Sequence, residues 1–133
     1  MAWRYEQASG RLYRGDGQLV GVGYAGAQEW KNKPAGERLR NRGPIPQGKW
    51  LISEPVDTVT HGPHVLPLTP SLGTETYGRG GFLIHGDSVV APGSASEGCI
   101  ILSRDVREEI AKSEDRALIV VSGQEEETWL AAT

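Results

Sequence analysis

The residues able to do chemistry are few and close together. The chain has one cysteine, Cys99, and three histidines, of which His85 stands fourteen positions upstream of it. A thiol becomes a strong nucleophile on losing its proton, and a neighbouring imidazole is the usual base. That imidazole needs a carbonyl or carboxylate to fix its tautomer. Gly98, just before the thiol, would let the N–H groups of Gly98 and Cys99 face the oxyanion formed when a carbonyl is attacked. Asp87 and Glu97, each two residues from one member of the pair, either tune it or satisfy loop amides. A plainer reading exists: a lone cysteine is often a small buried hydrophobe, and a histidine at a strand end is often structural.

Two strand ends must bring the pair together. Phe82-Leu83-Ile84 is a short apolar run that delivers His85, and Ile100-Ile101-Leu102 resumes directly after Cys99. Residues 86 to 98 between them are rich in glycine and serine and read as loop.

The rest of the chain supplies a β-rich frame. Trp3 to Glu6 and Leu12-Tyr13 read as a hairpin turning at Ser9-Gly10. Residues 18 to 24 read as one further strand after Gly15-Asp16-Gly17. Residues 25 to 43 are polar and are expected to form a long surface excursion walling a substrate groove. Pro44 to Gly48 is a rigid turn into a strand at 49 to 52. Val65 to Leu68 is expected to run inward, with His64 lining a pocket. Ser103 caps the one convincing helix, 103 to 112, and Ala117 to Val121 is a buried strand by its β-branched run. Trp129-Leu130 is expected to tuck back on the core.

Composition narrows the function. At 133 residues the simplest arrangement is one domain spanning 1 to 133, and a single cysteine forbids an internal disulfide. Fourteen basic against seventeen acidic residues, a formal net charge of −3, give no electrostatic reason to expect nucleic acid as a partner. No run approaches the roughly 20 apolar residues of a membrane span, and the N-terminus lacks the apolar region of a signal peptide. A substrate outside the cytoplasm would therefore call for another delivery route. His61-Gly62-Pro63-His64 invites a metal, but Gly-Pro forbids a regular helix and no third ligand stands at matching spacing, so neither metal nor other cofactor is expected.

In this order, several segments resemble the L,D-transpeptidases. That family's signature is His-Gly, a variable loop, then Ser-His-Gly-Cys and a hydrophobic residue; Ile84-His85-Gly86 and Ser96-Glu97-Gly98-Cys99-Ile100 are similar to it. Pro46-Gln47-Gly48-Lys49-Trp50 resembles the family's Thr-Pro-x-Gly-x-aromatic lead-in. Trp3-Arg4-Tyr5-Glu6-Gln7, Gly23-Tyr24-Ala25-Gly26, Asn41 to Pro46 and Arg79 to Asp87 look like the small L,D-transpeptidase-related effectors of type VI secretion.

The resemblance implies a mainly β sandwich or barrel of short strands, with one short helix after the cysteine. It implies a peptidoglycan stem-peptide substrate, Cys99 as nucleophile, His85 as base, the Gly86 carbonyl as its orienting group and Gly98 with Cys99 as the oxyanion donors. An L,D-carboxypeptidase or D-amino-acid exchange reaction on tetrapeptide stems would follow, in an antibacterial effector made without a signal peptide and acting in a target periplasm. A secretion apparatus and a cognate immunity protein would be its partners. Glu97 replaces the family's histidine and should raise the thiol's pKa. Ile101 replaces a frequent arginine, leaving Arg79 or Arg104 to bind the substrate carboxylate, with Ser96, Glu97, Asp87 and His64 as further substrate-side candidates. The alternatives are a cysteine amidase or endopeptidase, a cell-wall-binding module without turnover, and, more distantly, a zinc hydrolase using His61, His64 and His85.

Overall fold

A computed structural model describes residues 1–124. Among them are ten strands and one α-helix: β1 (Trp3–Glu6), β2 (Arg11–Tyr13), β3 (Leu19–Val22), β4 (Tyr24–Ala25), β5 (Gly48–Ile52), β6 (Val56–Thr58), β7 (Gly62–Pro70), β8 (Leu83–His85), β9 (Ile100–Ile101), α1 (Arg104–Ser113) and β10 (Ala117–Val121). The mainly β expectation is borne out. The strands form one mixed sheet in the order β3-β2-β1-β10-β5-β7-β8-β9-β4, with β6 attached to β7. The tuck of Trp129-Leu130 concerns residues outside those described.

β3 and β4 end that path on opposite sides, yet only Gly23 separates them in the chain. The two edges are thus held one residue apart, and the sheet has to roll on itself. Gly23 is the seam. Its N–H donates to the Gly10 carbonyl at 2.7 Å, and a Cβ there would fall 1.7 Å from the Ile101 oxygen. The single strand expected over 18 to 24 is therefore two, because no side chain fits where the backbone crosses β9. β6 was not foreseen: its residues are largely exposed, so no apolar pattern marks it.

The rolled sheet encloses Trp3, Tyr5, Trp50, Ile84, Ile100 and Leu118, all essentially without solvent contact. Each large apolar side chain so buried contributes roughly 2–3 kcal/mol. Trp50 meets Phe82 edge to face, with centroids 5.2 Å apart, and its indole N–H reaches the Pro46 carbonyl at 3.1 Å. The rigid turn ahead of β5 is thereby clamped to the core. On α1, Ser103 accepts from the Val106 N–H as the expected N-cap, and buried Ile110 faces the sheet.

Register then sets the site. β8 runs parallel to β9 with Ile84 opposite Ile100 and His85 opposite Ile101. Continued one residue back, Cys99 falls opposite Leu83. Because side chains alternate along strands, Cys99 and His85 share one face, offset by two residues, or about 7 Å along the strand.

Candidate active site

A cavity of about 410 Å³ holds both side chains, with His61, Arg79, Arg40 and Glu97 on its walls. His85 is buried, and its Nδ1 lies 2.9 Å from the Gly86 carbonyl oxygen. A carbonyl only accepts, so Nδ1 carries the proton and Nε2 is left with its lone pair. The thiol of Cys99 donates to the Gly81 carbonyl at 3.8 Å. An imidazole and a thiol therefore share one pocket, with the imidazole held in the tautomer that can accept a proton.

Electrostatics leaves both groups neutral at rest. Burial pushes the Cys99 thiol up, and the Glu97 charge adds to this; the Leu83 and Cys99 amides and the Arg79 charge oppose it without prevailing. Burial likewise pushes His85 down, helped by His61 and Arg107, against the Gly86 hydrogen bond and the Asp87 charge. Glu97 thus acts as its replacement of the family's histidine suggested. Alkylation of Glu97→Gln by iodoacetamide should show its pH midpoint at lower pH than in the unsubstituted protein. An unmoved midpoint would mean that the Glu97 charge does not reach the sulfur.

The turn before the thiol is built around Ser96, which is buried. Its Oγ accepts from the Gly26 N–H at 2.9 Å and the Gly98 N–H at 3.0 Å, and donates to the Cys99 carbonyl at 2.6 Å. Two expectations change here. Ser96 is a strut, since no hydrogen-bonding capacity is left for a substrate, and the Gly98 amide is occupied and so is no free oxyanion donor. Gly98 is needed for its backbone instead: φ is +145°, and a Cβ would lie 2.6 Å from Arg79 Nη2. The backbone N–H groups that favour the thiolate are those of Leu83 and Cys99.

Arg79 is also reassigned. Its guanidinium donates to the carbonyls of Glu37, Gly43 (2.8 Å), Pro44 (3.0 Å) and Glu97 (3.4 Å), and lies over Phe82. It ties the excursion to the turn before Cys99 and is spent on backbone. Arg104 pairs with Glu108 at 3.8 Å and lines a different cleft. His64 is absent from the Cys99 cavity; its N–H donates to Asp57 and its carbonyl accepts from Arg107. Asp87 accepts from Tyr24 Oη at 2.7 Å and from the Ser88 and Gly93 amides, so it satisfies the loop as well as biasing His85.

Three participants carried little sequence signal. His61, considered only as a metal ligand, lies with its ring 4.6 Å from that of His85. Among the described residues no three of His, Cys, Asp or Glu gather in a metal-binding group. Arg107 donates to the Pro63 and His64 carbonyls at 3.2 and 3.0 Å, bolting α1 to the turn that carries His61. Its Nη2 would be 3.0 Å from a Cβ on Gly86, which accounts for a small residue after His85. Glu37 anchors the excursion from within, accepting from Gln7, Gln47 and Tyr77. Burial opposes its ionisation, but these hydrogen bonds together hold its carboxyl below the usual range.

The His61 ring is one of the groups that push His85 down. Removing it takes away both a repelling charge and part of the cover that pushes His85 down. In His61→Gln the His85 ring protons should titrate at higher pH by NMR; a midpoint that stays put or falls would rule out this coupling.

Residues 21–123 match the Tlde1 domain, a span that holds His61, His85, Cys99 and the other residues named on the cavity walls. The chain belongs to the Tlde1 family. This is a type VI secretion effector family related to the L,D-transpeptidases, so the Tlde1 domain agrees with the resemblance seen in the motifs. A comparison with curated proteins gives no significant match. Among the described residues of this Tlde1 domain, no helix is long and apolar enough to cross a membrane.

Proposed function

We propose that the protein is a cysteine acyl-transfer enzyme that trims or exchanges the terminal D-alanine of peptidoglycan tetrapeptide stems. The observation that carries this reading is the His85 imidazole, fixed by the Gly86 carbonyl, in one cavity with Cys99. Type VI delivery to a target periplasm, with an immunity protein in the producing cell, accompanies it.

His85 Nε2 takes the thiol proton as Cys99 Sγ attacks the carbonyl of the diaminopimelate L-centre. The developing oxyanion is held by backbone N–H groups beside the sulfur, those of Cys99 and Leu83 being the candidates. As the tetrahedral intermediate collapses, the C–N bond breaks and His85 returns its proton to the departing D-alanine amine. The thioester then meets water or an amine, from which His85 again removes a proton. Water gives the tripeptide; a D-amino acid gives the exchanged tetrapeptide; either releases the Cys99 thiol.

Mass spectrometry of tetrapeptide muropeptides incubated with the protein, with and without D-amino acids, tests this. Loss or exchange of D-alanine, absent with Cys99→Ala, supports it. Cleavage elsewhere in the stem would point to an amidase or endopeptidase. Binding without turnover, unchanged in Cys99→Ala, would point to a wall-binding module.

A further inference from the structure

The Cys99 cavity continues into a second, larger one of about 610 Å³, and Arg40, Asn41, Ser94 and Glu97 line both. The second half gathers Lys31, Arg40 and Arg42 around a lining whose one carboxylate is Glu97. In a chain with more acidic than basic residues this is a local reversal of charge. Among the described residues none of the three cations is in an ion pair. Arg40 gives one hydrogen bond to the Gly78 carbonyl, and Lys31 rests over the Tyr24 ring at 4.5 Å. Glu97 is the one carboxylate on the lining to set against them, and the Lys31 charge also acts on Asp87.

The wall that carries them is built rather than loose. The Ala27 N–H donates to the Arg42 carbonyl at 2.7 Å and the Gly43 N–H to the Leu39 carbonyl at 3.0 Å. Gly43 passes so close to Gly36 that a Cβ would lie 1.6 Å from its carbonyl oxygen. Arg79 fastens the same segment at Glu37, Gly43 and Pro44. Arg79 and Arg104, the two residues first considered for a substrate carboxylate, are engaged elsewhere.

We propose that this basin is a carboxylate subsite that binds the acidic part of the stem peptide while Cys99 engages the reacting carbonyl. The assignment rests on the stem-peptide reading above. A γ-linked D-glutamate leaves its α-carboxylate free, and the basin supplies cations carried on a braced backbone. Lys31 and Arg42, which line the second cavity and not that of Cys99, bind without touching the reacting atoms.

The test compares a tetrapeptide stem with its analogue amidated at the D-glutamate α-carboxylate. For the unsubstituted protein, amidation should raise KM on the order of tenfold, as expected for one lost charge-assisted hydrogen bond, and change kcat little. Lys31→Ala/Arg42→Ala should raise KM for the acidic stem similarly and no longer distinguish the two peptides. Calorimetric binding of both peptides to Cys99→Ala, with and without the two substitutions, reads the subsite when turnover is absent. Discrimination in binding without turnover would sustain the subsite and reject the acyl-transfer reading. Turnover with no discrimination would reject the subsite alone, and failure of either peptide to bind would also overturn it.

Discussion

Turnover of a tetrapeptide stem is expected to fall by at least about 10³-fold in Cys99→Ala and in His85→Gln. The first removes the attacking atom. The second removes the base from a thiol that needs one, since burial and Glu97 hold Cys99 protonated at neutral pH. The two groups act as a unit, so the double variant should be little worse than either single one. Their pH behaviour should differ. As pH rises through the thiol's own ionisation, Cys99 in His85→Gln loses its proton without help, and its deficit in acyl-enzyme formation should shrink. Cys99→Ala has no such recovery. Intact-mass detection of the acyl-enzyme, with melting curves to verify folding, distinguishes these outcomes. Activity within tenfold of the unsubstituted protein in either variant would remove the pair from the mechanism.

What was legible in the sequence follows from what leaves a local trace. The run Ala117–Val121 and the apolar ends at 82 to 84 and 100 to 102 are marked as strands by their apolar, β-branched content, although the first, expected to be buried throughout, buries only Leu118 and Val120. Ser103 announced the helix because capping is a local hydrogen bond. The break at Gly23 left no such trace, because it arises from the close passage of β9, some eighty residues later. The site divided in the same way. His85, Gly86 and Cys99 lie within one short stretch and a recognisable order. Ser96, Arg79 and Arg107 act through carbonyls and amides brought near only by folding, and every residue offers the same backbone groups. A charged residue therefore reads as a substrate ligand until its partners are seen. His61 belongs with them: its neighbour in sequence, His64, suggested a metal, whereas its neighbour in space is His85.

Arg79 gives the second large effect, on the fold rather than on substrate affinity. Arg79→Ala should lower stability by about 3 kcal/mol, because it orphans buried carbonyls and removes a guanidinium packed on Phe82. For a domain of this size that corresponds to a fall in Tm of about 10 °C. Arg79→Lys should recover little of it, since one ammonium cannot reproduce a planar fork that reaches Glu37, Gly43, Pro44 and Glu97 together. The thiol should also respond. The Arg79 charge pulls the Cys99 pKa down, so in Arg79→Ala the alkylation midpoint should move to higher pH, opposite to Glu97→Gln. A direct carboxylate-binding role predicts another pattern: an unchanged Tm, a raised KM and partial rescue by lysine. Thermal melts of the two variants decide between them, because the same guanidinium cannot be fully occupied by four carbonyls and still be free for a substrate.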